Sequence, residues 1–360
     1  MPPSLFPLIH SFFPEIIPII ATKKPQKNFK ILCIDGGGIK GLYAATILKK
    51  FEEWNKCSIS DHFDMICGTS TGGIIALGIS QKIPMCEICN FYKHHGPIIF
   101  DEKKRRLGKH RTVIRDLCHQ IIGRGKFSDK NLKSALTDVF RDTKIKDSNN
   151  LLCIPSYSYT HAKNRVFKFD HKEGSLDRDN DLSYVDVALA TAAAPTYFPL
   201  AEISNEQYID GGVWANNPTL VGLIEALSYF VGKDKEYNCI QILSIGSIYR
   251  EKGHKLKQSR YRSFIKWGGE LFDVFGDGSS DFAHYFMSQM KDINDVQISY
   301  QRVCSNRVSG EQYEYVELDN ASLEALSFFE QKGLETANEY KRNDEIQEMF
   351  KTKKTYITKE

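Results

Sequence analysis

The chain has 360 residues, 41% of them apolar and 26% charged, which is ordinary globular usage and excludes a fibrous, a disordered or a small disulfide-stapled protein. Its 48 Lys and Arg against 45 Asp and Glu leave a formal net charge of +3, so composition gives no footing for a DNA or RNA binder and any basic site must be local. Nine cysteines, an odd number set within apolar runs, read as reduced thiols packed as small hydrophobes in a cytoplasmic compartment.

In chain order, residues 1–21 are the most apolar stretch. Pro2, Pro3, Pro7, Pro14 and Pro18 break any helix there and no Lys or Arg precedes the run, so neither an exported leader nor a membrane span is expected. Residues 1–29 read as an apolar arm packed on the domain, with a peripheral membrane contact through Phe6, Phe12, Phe13 and Ile16 as the second reading. Residues 30–34 form a strand, Asp35-Gly36-Gly37-Gly38 a turn, and 42–51 a helix. The same grammar repeats at once, with a strand at 63–67, a turn at 68–73 and a helix starting at 74–79. Further strands are expected at 151–154, 166–169, 207–209 and 240–245, with helices near 85–95, 112–122, 130–140, 184–193 and 219–231. Alternating strands and helices imply a mainly parallel sheet covered on both faces, over a domain spanning 30–247. Beyond Gly246 a polar, basic stretch at 249–262 leads to helices near 263–275 and 281–291, alternating runs at 296–304 and 313–318, and a helical tail from Ser322. Residues 248–360 thus read as a helical cap packed on the preceding domain.

Cys86 and Cys89, with His94 and His95 nearby, offer half of a zinc site, but no second pair stands at ligand spacing, and no metal is expected. Gly36-Gly37-Gly38-Ile39-Lys40-Gly41 satisfies G-x-G-x-x-G between a strand and a helix, yet the acidic ribose ligand expected about 20 residues on is missing, so no dinucleotide cofactor is expected. What survives is an anion site made of backbone N–H groups at a helix start.

Gly68-Thr69-Ser70-Thr71-Gly72 is G-x-S-x-G at a strand-to-helix junction, the setting of a nucleophile elbow. The two turns together point to acyl transfer, one offering a nucleophile and the other an oxyanion hole. A serine needs a base, and two candidates stay open: a downstream histidine, His254 or His284, in a Ser-His-Asp triad, or Asp210 of Tyr208-Ile209-Asp210-Gly211-Gly212 at the end of another strand.

On these residues the chain resembles the patatin-like phospholipases. Residues 35–41 look like the family's D-G-G-G-x-R-G oxyanion motif, with Lys40 where Arg is usual; 68–72 look like its elbow; Asp210-Gly211-Gly212 look like its D-G-A/G motif. Residues 190–199 and 212–218 also look like the usual surroundings of that aspartate, and the likeness runs over about 30–247. It implies a three-layer α/β/α sandwich with a mainly parallel central sheet, no cofactor, and acyl-ester substrates such as phospholipids. It also implies a Ser-Asp dyad: Ser70 as nucleophile, Asp210 as proton acceptor, and an oxyanion hole within Gly36–Gly41, chiefly Gly37 and Gly38. The lysine keeps the charge at position 40 but lacks the planar fork, which implies a less rigid loop.

The wording of 68–78 and 210–218 is closer to the short bacterial members than to the plant storage proteins. Some of the former are effectors of CBASS antiphage systems, switched on by a cyclic nucleotide to degrade the cell's own membrane. That resemblance implies a cyclic di- or trinucleotide activator, the inner face of the membrane as substrate surface, and a homo-oligomer on activation. The basic stretches 103–111 and 250–262 are the candidate phosphate or bilayer contacts, with solvated loops as the plain reading. A constitutive hydrolase with a triad, and a non-catalytic lipid-binding or storage protein, are the alternatives.

Overall fold

The structure is a computed structural model that describes residues 26–100, 125–171, 177–248, 261, 267, 270–290, 292–293, 296–304, 308, 310–313 and 315–358. The N-terminal arm, the helix expected at 112–122, the basic stretch at 103–111 and most of 249–262, His254 included, lie outside these residues.

Nine strands of the described chain form one sheet: β1 (Asn28–Ile34), β2 (Met65–Gly68), β3 (Leu151–Ser158), β4 (Lys163–Lys168), β5 (Ala201–Ile203), β6 (Glu206–Asp210), β7 (Cys239–Ile245), β8 (Asp292–Ile293) and β9 (Val296–Val303). Their order is β5-β6-β3-β2-β1-β7-β9-β8, with β4 pairing to β3. The central strands β1, β2 and β7 read as continuous apolar runs because both of their faces are covered. Besides a single turn at Asp177–Asn180, the α-helices of the described residues are α1 (Gly41–Asn55), α2 (Thr71–Ser80), α3 (Met85–Ile99), α4 (Asp129–Phe140), α5 (Tyr184–Ala192), α6 (Gly212–Ala215), α7 (Thr219–Tyr229), α8 (Glu270–Gln289), α9 (Leu323–Tyr340) and α10 (Asp344–Lys351). Every residue of α2 is buried, as its unbroken apolar sequence requires, and the helix packs on β1, β2 and β3 beneath α1 and α3. On the other face α7 lies against Ile31 and Cys33 of β1 and Cys67 of β2, made possible by Gly222 at the contact. This is the expected three-layer α/β/α sandwich.

Two features place the site. First, β1, β2 and β7 end level, since Ile34 is in register with Gly68 on one side and with Ile245 on the other. The loops that follow all three therefore open at one rim, the usual location of a site in such sheets. Second, β3 carries β4 along one edge and shares the opposite edge between two strands: β2 pairs parallel with its first half, at Met65–Leu151 to Cys67–Cys153, and β6 antiparallel with its second half, at Ser156–Asp210 to Ser158–Tyr208. The C-terminal ends of β2 and β6 consequently point at each other across the middle of β3.

The segment after Gly246 departs from the expectation of a helical cap. Strand β9 joins β7 in parallel over Cys239–Gln297 to Ile245–Val303, so this segment extends the central sheet, and α9 packs on α1. The two helices expected near 263–275 and 281–291 are one helix, α8, across the described part of that stretch. Gly276, Gly278, Ser279 and Ser280 suggest a break, but the helix continues because Asn216 packs against Gly276 and bonds to both serines. Of the run 313–318, the described residues 313 and 315–318 form turns and bends, not a strand.

The tail closes the opposite end of the sheet. Helix α10 buries Ile346, Met349 and Phe350, and the Phe350 ring packs edge-on to Phe63 at 5.6 Å and Phe51 at 6.0 Å. Just before β2, Asp64 accepts from the N–H groups of Lys30, Thr355 and Tyr356. Phe350→Ala is expected to lower stability by about 3 kcal/mol through the lost burial and the cavity it leaves, read as a lower urea midpoint at unchanged slope.

Candidate active site

Ser70 stands at the N-cap of α2 with φ 54° and ψ −124°, a conformation that a non-glycine residue adopts only when its surroundings enforce it. The enforcement is visible. Its N–H donates to Thr191 Oγ1 at 3.0 Å, and Thr191 in turn donates to the Pro155 carbonyl at 2.6 Å. Thr69 Oγ1 donates to the Ala215 carbonyl at 2.6 Å, and Thr71 Oγ1 pairs with the Tyr92 hydroxyl at 2.5 Å. The flanking glycines leave no room for a side chain: a Cβ on Gly72 would stand 2.2 Å from the Ile34 carbonyl oxygen, and one on Gly68 would stand 2.1 Å from that of Gly72.

Asp210 ends β6 and is fully buried. Its backbone N–H donates to the Ala193 carbonyl at 2.9 Å, and Oδ1 accepts from Gly212 N–H at 2.7 Å. Burial pushes its carboxyl up to about 7, opposed by the Ser70 hydroxyl beside it and by the Gly212 N–H. Oδ2 makes no hydrogen bond of ordinary length to any described residue. The carboxyl thus faces the serine with one oxygen uncommitted, the loose arrangement common before a substrate draws a nucleophile and its base together. Gly211 sits against the Pro155 carbonyl, where a Cβ would be 2.3 Å from the oxygen.

The glycine loop after β1 completes the rim. The N–H of Gly36 donates to the Asn216 carbonyl at 3.0 Å, that of Ile39 to the Leu318 carbonyl at 2.9 Å, and that of Lys40 to Gly37 at 3.1 Å. Gly41 N–H caps the turn on Gly38 and Ile39. These four groups are therefore committed within the protein, whereas those of Gly37 and Gly38 meet no hydrogen-bond partner among the described residues. Gly38 has φ +58°, and a Cβ there would lie 2.3 Å from the Leu318 carbonyl oxygen, so glycine is required. Lys40 is buried, and its ammonium donates to the Ile248 carbonyl at 3.4 Å, tying the loop to the chain after β7.

The three loops floor a cavity whose walls include Ile74, Phe91, Ile99, Phe100, Leu132 and Phe198, with Phe272 and Gly276 of α8 on one side. Apolar walls over a small polar floor suit a hydrocarbon chain ending in an ester. No histidine among the described residues lines this cavity. His284, one of the two candidate bases, instead pairs through Nδ1 with the Tyr300 hydroxyl at 3.1 Å. Cys86 is exposed while Cys89 is buried, and no cluster of His, Cys, Asp and Glu suited to a metal occurs among the described residues. Two contributors have no sequence signal of their own: Thr191, which fixes the Ser70 backbone, and Asn216, whose carbonyl holds Gly36 while its N–H and Nδ2 bond Ser279 and Ser280 at 2.9 and 3.0 Å.

The chain is similar to known proteins over most of its length. The patatin-like phospholipase family profile matches residues 32–223. A cGAMP-activated phospholipase of Pseudomonas aeruginosa is 34% identical over 274 residues, 75% of this chain and 78% of that protein. A cGAMP-activated phospholipase of Vibrio cholerae is 28% identical over 91% of this chain and 95% of its own length. Patatin-like protein 2 of Oryza sativa is 27% identical over 79% of this chain and 78% of its own.

The buried carboxyl makes a stability prediction with a definite sign. Because the folded state holds the Asp210 proton more tightly than the unfolded chain does, its contribution is present in acid and is lost as pH rises through about 7. Asp210→Asn is therefore expected to raise Tm by a few degrees at pH 8 (roughly 2 °C per kcal/mol for a chain this large) and by less at pH 5, as measured by differential scanning calorimetry.

Proposed function

This chain belongs to the patatin-like phospholipase family, a lipid acyl hydrolase by that membership, and from this premise we propose that Ser70 and Asp210 form its catalytic dyad. The observation that carries the proposal is the strained Ser70 held beside a fully buried Asp210 whose carboxyl is raised to about 7, near the working pH of a general base. Ser70 Oγ attacks the ester carbonyl while Asp210 takes its proton. Gly37 and Gly38 donate their N–H groups to the oxyanion of the tetrahedral intermediate, and the N-terminal end of α2 adds its dipole. Collapse expels the lysophospholipid alkoxide, which takes the proton back from Asp210 and leaves Ser70 acylated. Asp210 then accepts a proton from water as that water attacks the acyl-enzyme, and it gives this proton to Ser70 Oγ as the fatty acid departs, which restores the free serine and the carboxylate.

Support for activation comes from relatives named cGAMP-activated phospholipase, which span most of their length with this chain. In this reading a cyclic dinucleotide switches the enzyme on, the enzyme assembles as a homo-oligomer, and it acts peripherally on a phospholipid bilayer. No helix among the described residues is long and apolar enough to cross a membrane.

Fatty-acid release from bacterial phospholipid vesicles, with and without cGAMP, tests both parts. Ser70→Ala and Asp210→Ala should each leave below about 1% of wild-type release, whereas His284→Ala should stay within about three-fold. Wild-type release that needs cGAMP supports the gate; release without any nucleotide removes the gate and keeps the hydrolase. The carboxylate is the active form of the base, so kcat/KM should rise with pH and level off above an inflection near 7. A pH profile flat from 5 to 8 would exclude Asp210 as the base.

A further inference from the structure

Asp35, the residue before the glycine loop, has a fully buried side chain that is paired with an arginine. Arg302, itself buried, reaches it from β9 with both prongs of its guanidinium: Nη1 donates to Oδ1 at 2.7 Å and Nη2 to Oδ2 at 2.5 Å. Nη1 also donates to Ser244 Oγ on β7 at 2.7 Å, its neighbour in register, and Ser280 Oγ of α8 donates to Asp35 Oδ2 at 3.2 Å. Gly246 clears the path, since a Cβ there would stand 3.1 Å from Arg302 Nη2.

A buried ion pair contributes little stability beyond what apolar side chains of the same volume would supply, so stability does not account for this one. A bidentate fork does supply geometry, fixing the position and the plane of a carboxylate together. Three consecutive glycines follow Asp35, a stretch with more backbone freedom than any other three residues would have. The aim of the Gly37 and Gly38 N–H groups depends on what holds their start: the Asp35 N–H to Ile245 carbonyl and Gly36 N–H to Asn216 carbonyl bonds, both 3.0 Å, hold the backbone on either side of Asp35, and the Arg302 fork holds the side chain between them.

We propose that Arg302 is a positioning residue for acyl transfer: by clamping Asp35 it sets the direction of the Gly37 and Gly38 N–H groups. The inference rests on the glycine loop being the oxyanion hole. It also assigns a task to the motif-free segment after Gly246, because Arg302, Ser280 and the Leu318 carbonyl that holds Ile39 all lie there. Any ligand or assembly step that shifts β9 or α8 relative to β7 would then be felt at the loop.

The test compares full-length wild type, Ser70→Ala, Arg302→Met, Arg302→Lys, Asp35→Asn and the double variant Asp35→Asn/Arg302→Met, with Tm recorded for each. Readouts are kcat and KM for p-nitrophenyl butyrate and for phospholipid vesicles with cGAMP, and the rate at which a fluorophosphonate labels Ser70. Arg302→Met should lower kcat by about 30- to 100-fold with KM within about three-fold, the scale of a misaimed oxyanion donor, and labelling should slow in proportion. Arg302→Lys, which keeps the charge without the fork, should lower kcat by about 5- to 10-fold. The double variant should be no slower than Arg302→Met, because one residue acts through the other. A folded Arg302→Met with kcat within about three-fold of wild type, a loss confined to KM, or losses that multiply in the double variant would each overturn the proposal. Should Arg302→Met not fold, Arg302→Lys and Asp35→Asn, which keep hydrogen-bonding groups in place, decide by the same criterion. Full activity in Ser70→Ala would instead remove the site reading beneath it.

Discussion

Everything at the rim of this sheet depends on keeping one carboxyl, that of Asp210, out of water and beside Ser70. A lone carboxylate in such a place is costly, and the structure responds by raising its proton affinity, not by pairing it with a cation. That choice sets the rest. An arginine beside Asp210 would lower its proton affinity. The one buried arginine clamp of the rim sits a strand away, on Asp35, where geometry and not basicity is wanted. Two aspartates at neighbouring strand ends thus have opposite electrostatic settings, one unpaired and one forked.

Topology brings Ser70 and Asp210 together without a long excursion of the chain. Because β2 and β6 share one edge of β3 from opposite directions, their C-terminal ends meet, and each hands its next residues to the same small volume. The strand β6 runs against the parallel grain of the central sheet, and this reversal is what lets an aspartate at a strand end point at a serine at another. Thr191 of α5 ties the two, accepting from the Ser70 N–H through its hydroxyl while its carbonyl accepts from Gly211 at 3.3 Å.

The same rim joins the site to the C-terminal part of the chain. The glycine loop touches Leu318, Arg302, Ser280 and, through Asn216, Ser279. A family profile that ends at residue 223 stops before all four, so the matched region holds this loop through Asn216 but not through these partners. The strand and the helix that clamp Asp35 thus lie beyond the region the family profile matches.

Much was legible in the residues themselves. Alternating apolar strands and amphipathic helices gave the layers. The glycines at 36–38, 68 and 72 and the pairs after Ser70 and Asp210 marked the rim, because a tight turn excludes side chains whatever surrounds it. Local chemistry of this sort is written in consecutive residues. What the residues left open was long-range: that Asp210 lies beside Ser70, that Gly36 and Ile39 spend their N–H groups on Asn216 and Leu318, that α8 runs through its glycines and serines, and that β9 completes the sheet instead of capping it. Each of these turns on a partner far along the chain, and no periodicity records which strand edge or which carbonyl a distant residue will meet. The sequence by itself determined the turns and the candidate groups; only tertiary packing decided their pairings, since a carboxyl's proton affinity and an N–H group's freedom depend on what the fold puts beside them.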